Sequence, residues 1–222
     1  MMREPAFRTE QKAGAAGQRH PLPRKLAVVA VDLIEQRIND ELVGYSSGTV
    51  SYGLGRFREL LRFSVKAGIP VIFVVPDDSY RADLGSTRVV PGLRSSAPGA
   101  RTVTKGSQSA FLRTGLSGQL DELGADGLVI GGWDIQECVW ATIRGALARH
   151  YRVITSEQIC FSDLLCFEKA RRHPGPYKSG PLADMRKEYQ RALDFYRTKP
   201  GMTYYDGFDG LMAGLERAAG GR

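Results

Sequence analysis

Three residues with complementary chemistry lie just beyond predicted β-strands. Two of them follow a strand directly, and the third follows a strand and the turn after it. Asp32 follows the run LAVVAV, Lys105 follows RTVT, and Cys138 lies six residues beyond Gly132. A carboxylate can take the proton of a thiol, an ammonium group can stabilise the thiolate, and the thiolate can attack a carbonyl carbon. These residue types point to nucleophilic cysteine chemistry.

The sequence around Cys138 predicts a strand, a glycine turn and a helix. Residues 128–130 form an apolar run typical of a buried parallel strand, and the glycine pair at 131–132 is expected to break it. From Cys138 onward, apolar residues recur at helical spacing, so this cysteine opens the helix. Free N–H groups and the dipole at a helix start favour a thiolate. The local pattern also fits a buried structural cysteine, since free cysteine is among the most buried residues.

Strand-like and helix-like segments alternate along the chain. Strands are predicted at 26–31, 70–75, 101–104, 128–130, 151–155 and 202–205, and loops at 37–53, 76–81 and 85–100. Helices are predicted from the apolar face Leu54, Phe57, Leu60, Leu61 and Val65, from Leu112, Leu116, Leu120 and Leu123 with a stop at Gly124, from Cys138, and over 182–198 and 208–218. This order predicts an α/β fold: a doubly wound, mainly parallel six-stranded sheet with helices on both faces.

The predicted sheet brings the reactive residues together. In a doubly wound sheet the carboxyl ends of the strands line one edge, where ligands bind. Asp32, Lys105 and Cys138 all fall at this edge, so we expect them to converge.

Composition indicates a globular protein. The chain is 42% hydrophobic and 25% charged, and no apolar run approaches the roughly 18 residues of a membrane span. We expect a flexible leader over 1–24, which lacks the apolar core of a secretory signal, and one domain over 25–222 with a C-terminal helical arm at about 166–200. Three cysteines, at 138, 160 and 166, match neither a disulfide framework nor a zinc ribbon, so we expect a reducing, cytoplasmic location.

The net charge of +7 could indicate nucleic acid or an anionic substrate as a partner. The Lys and Arg residues are spread along the chain, however, without a sustained basic run interleaved with aromatic residues. A solvated basic surface is the favoured interpretation. We therefore expect a small-molecule substrate, with neither nucleic acid nor a membrane as partner.

Two longer segments carry a family resemblance. VTKGSQSAFLRTGL at 103–116 and LVIGGWDIQECVWATIRGALARHYRV at 128–153, with the strand that ends at Asp32, resemble the isochorismatase-like cysteine hydrolase superfamily. That superfamily includes nicotinamidases, N-carbamoylsarcosine amidases, and ureide or biuret hydrolases. The resemblance implies a Rossmann-like three-layer sandwich, a homo-oligomer (dimer or tetramer), and hydrolysis of a C–N bond in a small amide, carbamoyl or ureido compound.

The resemblance also implies residue roles. Asp32 matches the general base, Lys105 the catalytic lysine and Cys138 the nucleophile. A cis peptide is expected between Trp133 and Asp134, and the backbone N–H groups of Asp134 and Cys138 would form an oxyanion hole.

Departures from the family pattern leave alternatives open. Leu33-Ile34-Glu35 stands where many members have a Gln-Asn pair, and Asp134 stands where a small residue is usual. Nicotinamidases carry a metal site with an Asp and two His residues after the second strand, which ends here at Val75. No histidine lies near Val75, so we expect no catalytic metal, no cofactor and a substrate other than nicotinamide. One rival is an isochorismatase-type enol-ether hydrolase with Asp32 as the acid. Another is an inactive binding or scaffold protein.

Substrate contacts are expected from loop residues near the predicted catalytic groups. The candidates are Asp77, Asp78, Tyr80, Arg81, Gln108 and Trp133. For each of them an exposed loop residue without function is the alternative. Asp134 either binds an amine on the substrate or makes a structural hydrogen bond to the turn at 131–132.

Overall fold

The computed structural model describes residues 23–36, 47–77, 86–162, 164 and 182–220. Its strands are β1 (Leu26–Val31), β2 (Val71–Pro76), β3 (Arg101–Lys105), β4 (Gly127–Gly132), β5 (Arg152–Ser156) and β6 (Met202–Tyr205). Its helices are α1 (Ser47–Lys66), α2 (Pro91–Arg94), α3 (Leu116–Leu123), α4 (Cys138–Leu147), α5 (Leu182–Thr198) and α6 (Phe208–Gly220), with a 3₁₀ turn at Glu157–Ile159.

The six strands form one sheet in the order β3-β2-β1-β4-β5-β6, and every neighbouring pair is parallel. All residues of β1, β2 and β4 are buried, which is typical of a parallel sheet covered on both faces. The predicted α/β sheet is therefore confirmed, and it is parallel throughout. The strand order reverses between β1 and β4, so the crevice at this switch point is where such sheets bind ligands.

Helix α1 differs from its prediction in two respects. It begins at Ser47, although a loop was expected as far as residue 53. Leu54, Phe57, Leu60 and Leu61 face the core as expected, but Val65 is 50% exposed. Ser64 takes the buried place instead, because its hydroxyl donates to the Leu60 carbonyl at 2.8 Å and so needs no other partner.

Two further boundaries depart from expectation. Helix α3 begins at Leu116, and Leu112 lies outside it with 56% exposure. Its end matches the prediction, since Gly124 takes a left-handed conformation with φ 62°. In addition, the segment expected to be irregular over 85–100 contains the single turn of α2.

The glycine pair after residue 130 continues strand β4 rather than breaking it. A Cβ atom on Gly132 would lie 1.9 Å from the Val31 carbonyl oxygen, and one on Gly131 would lie 2.5 Å from the Ile159 carbonyl oxygen. Gly132 also has φ 130°. Close backbone approach therefore requires glycine at both positions.

The C-terminal elements match their predictions: α5 spans 182–198 and β6 is the edge strand beside β5. Most of the predicted leader, residues 1–22, lies outside the described residues, as do residues 166–181 of the proposed arm. The division into a leader, one domain and an arm stays a prediction. None of the helices in the described ranges is long and apolar enough to span a membrane.

Candidate active site

Lys105 lies at the centre of a buried cluster at the carboxyl edge of the sheet. Its Nζ is 2.9 Å from Oδ2 of Asp32 and donates to Sγ of Cys138 at 3.3 Å. The same nitrogen donates to the carbonyl oxygen of Ser107 at 3.0 Å. The structure thus brings together the three residues that the sequence singled out.

The sheet positions each of them. Asp32 follows β1 with φ 52°, and its N–H still donates to the Val74 carbonyl at 2.8 Å, so the carboxylate projects from the strand end. Lys105 is the last residue of β3, and its long side chain reaches past the end of β2, which lies between β3 and β1. Cys138 is the first residue of α4. Among the described residues, Oδ1 of Asp32 has no hydrogen-bond partner.

Burial changes the protonation of this cluster. Burial first, and the Asp32 charge second, raise the pKa of the Cys138 thiol to about 12, and Lys105 offsets only part of this rise. The thiolate expected from the helix start is therefore not the resting form. Burial lowers the pKa of Lys105, but the charges of Asp32 and Cys138 outweigh burial and raise it overall. Both raised pKa values favour a neutral thiol beside an ammonium group at neutral pH.

The turn from residue 133 to residue 137 connects β4 to Cys138. The peptide bond between Trp133 and Asp134 is cis. Asp134 is 1% exposed, and its Oδ1 accepts from the N–H of Gln136 at 3.1 Å. Within the described ranges the Cys138 N–H donates to no acceptor, as an oxyanion donor requires.

The residues expected to contact substrate are placed differently from one another. Trp133 is completely buried and stacks on Phe161 with ring centroids 5.1 Å apart, so its ring belongs to the core instead of lining an open pocket. Asp77 is half-buried, and its N–H donates to the Lys105 carbonyl at 3.0 Å. Gln108 is exposed. Asp78, Tyr80 and Arg81 lie outside the described residues.

Several supporting residues had no signal in the sequence. Phe161 accepts from the N–H of Ile135 and donates to the carbonyl of Gly132, both along the backbone. Ser162 donates to Oε1 of Gln136 at 2.8 Å, and Tyr196 donates to the Ile135 carbonyl. They lie far along the chain from the turn, so local periodicity could not reveal them. In the part of the chain that the structure describes, no three His, Cys, Asp or Glu side chains gather as metal ligands.

A family model described as "Isochorismatase domain" matches residues 27–162, more than half of the chain. The chain belongs to the isochorismatase family. The matched range contains Asp32, Lys105 and Cys138 and extends from β1 past β5. This confirms the resemblance given by the two sequence segments and assigns the chain to the isochorismatase-like hydrolases.

Solved structures of the isochorismatase family share the fold. An N-carbamoylsarcosine amidase from Thermoplasma acidophilum is 22% identical, with 82% of this chain and 96% of that chain covered and a TM-score of 0.59. An isochorismatase from Pseudomonas putida KT2440 is 20% identical, with 87% and 94% covered and a TM-score of 0.63. An isochorismatase family protein from Desulfovibrio vulgaris is 21% identical, with 87% and 100% covered and a TM-score of 0.61. No curated protein sequence matches at a significant level.

Proposed function

We propose that this chain is a cysteine hydrolase that cleaves a C–N bond of a small amide, carbamoyl or ureido compound through an acyl-enzyme on Cys138. The observation that carries the proposal is the position of the Lys105 ammonium, in contact with both the Asp32 carboxylate and the Cys138 sulfur. The N-carbamoylsarcosine amidase among the similar structures supports the same bond type. The substrate is a small molecule, since the reacting groups lie at the ligand-binding edge of the sheet.

In the first half of the reaction, the thiol proton moves to Asp32 as the sulfur forms a bond with the substrate carbonyl carbon. The carbonyl oxygen takes the electron pair and is stabilised by the backbone N–H groups of Asp134 and Cys138. Collapse of this intermediate breaks the C–N bond, and Asp32 returns the proton to the leaving amine. The product of this half-reaction is an acyl group on Cys138.

In the second half, Asp32 takes a proton from water while the water oxygen attacks the acyl carbon. The C–S bond then breaks, the acid product leaves, and the proton on Asp32 restores the Cys138 thiol. Lys105 stays protonated throughout and stabilises the sulfur whenever it carries negative charge.

The raised pKa of Cys138 fits this sequence of steps. A buried thiol with a pKa of about 12 is neutral before the substrate binds, so the proton must leave during the attack. Oδ1 of Asp32, which has no hydrogen-bond partner among the described residues, is available for that proton, because the other oxygen is paired with Lys105. This arrangement supports a role for Asp32 as general base.

The main rival is enol-ether hydrolysis with Asp32 as the acid and Cys138 as a bystander. We consider this rival because one of the similar structures is an isochorismatase. The contact between the Lys105 ammonium and the Cys138 sulfur at 3.3 Å argues against it, since a bystander cysteine needs no such partner. An inactive scaffold is a second rival. The oligomeric state, the cytoplasmic location and the lack of nucleic-acid binding stay predictions from the sequence.

A library of amides, carbamoyl compounds and ureides, screened for turnover and for intact protein mass, tests the proposal. We expect a substrate whose acyl fragment adds to Cys138, with turnover abolished when iodoacetamide alkylates that residue. The control is Cys160→Ser, which removes the other described thiol and should keep turnover. Amide turnover that survives alkylation of Cys138 would contradict the proposal. Turnover of an enol ether by the alkylated protein would favour the enol-ether route, and the absence of turnover and adduct with every compound would favour a scaffold.

A further inference from the structure

Three peptide groups separate the proposed oxyanion donors at Asp134 and Cys138, and the first two are held by hydrogen bonds at both ends. The carbonyl of Asp134 accepts from the N–H groups of Glu137 and Val139 at 3.0 and 3.1 Å. The N–H of Ile135 donates to the Phe161 carbonyl at 2.8 Å, which fixes the other end of the same peptide group. The position of the first donor therefore depends on contacts within and beside the turn.

The next peptide group, between Ile135 and Gln136, is held at both ends by side chains. Its N–H donates to Oδ1 of Asp134 at 3.1 Å. Its carbonyl accepts from the hydroxyl of Tyr196, a residue of α5 that lies 61 positions further along the chain. Tyr196 is the described side chain that fixes this carbonyl from outside the turn.

The surroundings of Tyr196 hold its hydroxyl in place. The side chain is 1% exposed, and its ring stacks on Tyr204 at 6.3 Å and meets the edge of Phe195 at 6.0 Å. Burial raises the pKa of Tyr196 well above its usual value, so the hydroxyl remains a hydrogen-bond donor at any ordinary pH. Phe195 also meets Trp140 of α4 at 6.0 Å. Helix α5 thus contacts the chain on both sides of Cys138.

We propose that Tyr196 is a positioning residue for the oxyanion hole: its hydroxyl fixes the Ile135 carbonyl and thereby the direction of the backbone N–H groups that flank it. This inference rests on the proposed function, because it assumes acyl transfer to Cys138. Small displacements of such donors are costly, with losses of about 100-fold for a misplacement of about 1 Å. Helix α5 is then part of the catalytic framework and not merely a surface element.

Two reagents distinguish a loss of oxyanion stabilisation from a loss of nucleophile reactivity. Acylation of Cys138 by 4-nitrophenyl acetate passes through a tetrahedral oxyanion, whereas alkylation by iodoacetamide displaces iodide without one. In Tyr196→Phe, which keeps the ring and removes the hydroxyl, we expect the acylation rate to fall about 10- to 100-fold while the alkylation rate stays within about twofold of the wild-type rate. A merely structural role would move both rates together.

Tyr204→Phe is the matched control. It removes a hydroxyl from the same aromatic cluster, one that donates to Oε2 of Glu157 at 3.2 Å. Within the described part of the chain this hydroxyl makes no hydrogen bond to the turn, so both rates should stay at wild-type values. An unchanged acylation rate in Tyr196→Phe, or equal losses in both rates, would overturn the inference while leaving the proposed function intact. If acylation survives in Cys138→Ala, the proposed function fails and the inference fails with it.

Discussion

The side-chain nitrogen of Lys105 lies 3.3 Å from the sulfur of Cys138, although 33 residues separate them. Lys105 ends strand β3 and Cys138 begins helix α4, so the carboxyl edge of the sheet brings the two together. The same nitrogen is 2.9 Å from Asp32. One buried ammonium group therefore joins the proposed base to the proposed nucleophile.

Replacing Lys105 by Met is expected to damage both activity and stability. The change removes the cation that stabilises the sulfur in the attack and leaves Asp32 as a buried charge without its partner. We expect kcat/KM to fall by about 100-fold or more and the free energy of unfolding to fall by about 3–5 kcal/mol. Steady-state kinetics and urea unfolding measure the two effects.

Lys66→Met provides the control for this prediction, because Lys66 is exposed in the last turn of α1. It should change the free energy of unfolding by less than about 0.5 kcal/mol and leave turnover unaltered. If Lys105→Met kept wild-type turnover, Lys105 would have no part in the chemistry.

The raised pKa of Cys138 predicts the pH dependence of its alkylation. Below a pKa of about 12 the thiolate fraction rises about tenfold with each pH unit. The rate of iodoacetamide labelling, measured at Cys138 by peptide mapping, should therefore climb steadily from about pH 6 to pH 9. In urea-unfolded protein the rate should level off above about pH 8.5, the ordinary thiol pKa. A plateau near neutral pH in the folded protein would mean that a thiolate is already present at rest.

Two glycine substitutions, one in β4 and one in α3, test the backbone packing beneath the site. Gly132→Ala forces a Cβ into the Val31 carbonyl oxygen next to Asp32 and demands φ 130° of an alanine, so we expect misfolding or a loss of several kcal/mol. Gly118→Ala, inside α3 with open space around it, should instead raise the free energy of unfolding by about 0.4–1 kcal/mol. Thermal and urea unfolding compare the two. A harmless Gly132→Ala would contradict the close approach of β1 and β4.

We expect Asp134 to maintain the conformation of the turn and not to bind a charged group of the substrate. It is buried, and its carboxylate holds the N–H of Gln136. Asp134→Ala should lower kcat/KM in equal proportion for neutral amides and for amides that carry an amine. Asp134→Asn keeps an acceptor oxygen and should leave the ratio of the two kcat/KM values unchanged. A loss confined to amine-bearing substrates would instead identify Asp134 as a substrate contact.

The sheet and its reactive edge could be predicted because their signals are local. The run LAVVAV is buried on both faces of the sheet, and the residue after it is carried to the strand end whatever the rest of the chain does. The same holds for Lys105 and Cys138 at the ends of their own segments. The parallel order of the strands then follows from the alternation of strands and helices.

The remaining features depend on distant parts of the chain. The pKa of Cys138 is set by burial, which the helix start alone does not reveal. Val65 matches the helical spacing of α1 but faces solvent, whereas its neighbour Ser64 is buried and donates its hydroxyl to the Leu60 carbonyl. Tyr196 reaches the turn before Cys138 from α5, and nothing in its local sequence sets it apart from a surface helix residue.

The most direct test of the account is the turnover of Cys138→Ala, measured beside wild type and Cys160→Ser on a substrate from the amide and ureide library. Because Cys138 is the proposed nucleophile, its replacement should reduce kcat by about 1,000-fold or more, whereas Cys160→Ser should remain close to wild type. Circular dichroism establishes that both variants are folded. Wild-type turnover by folded Cys138→Ala would contradict the proposed mechanism.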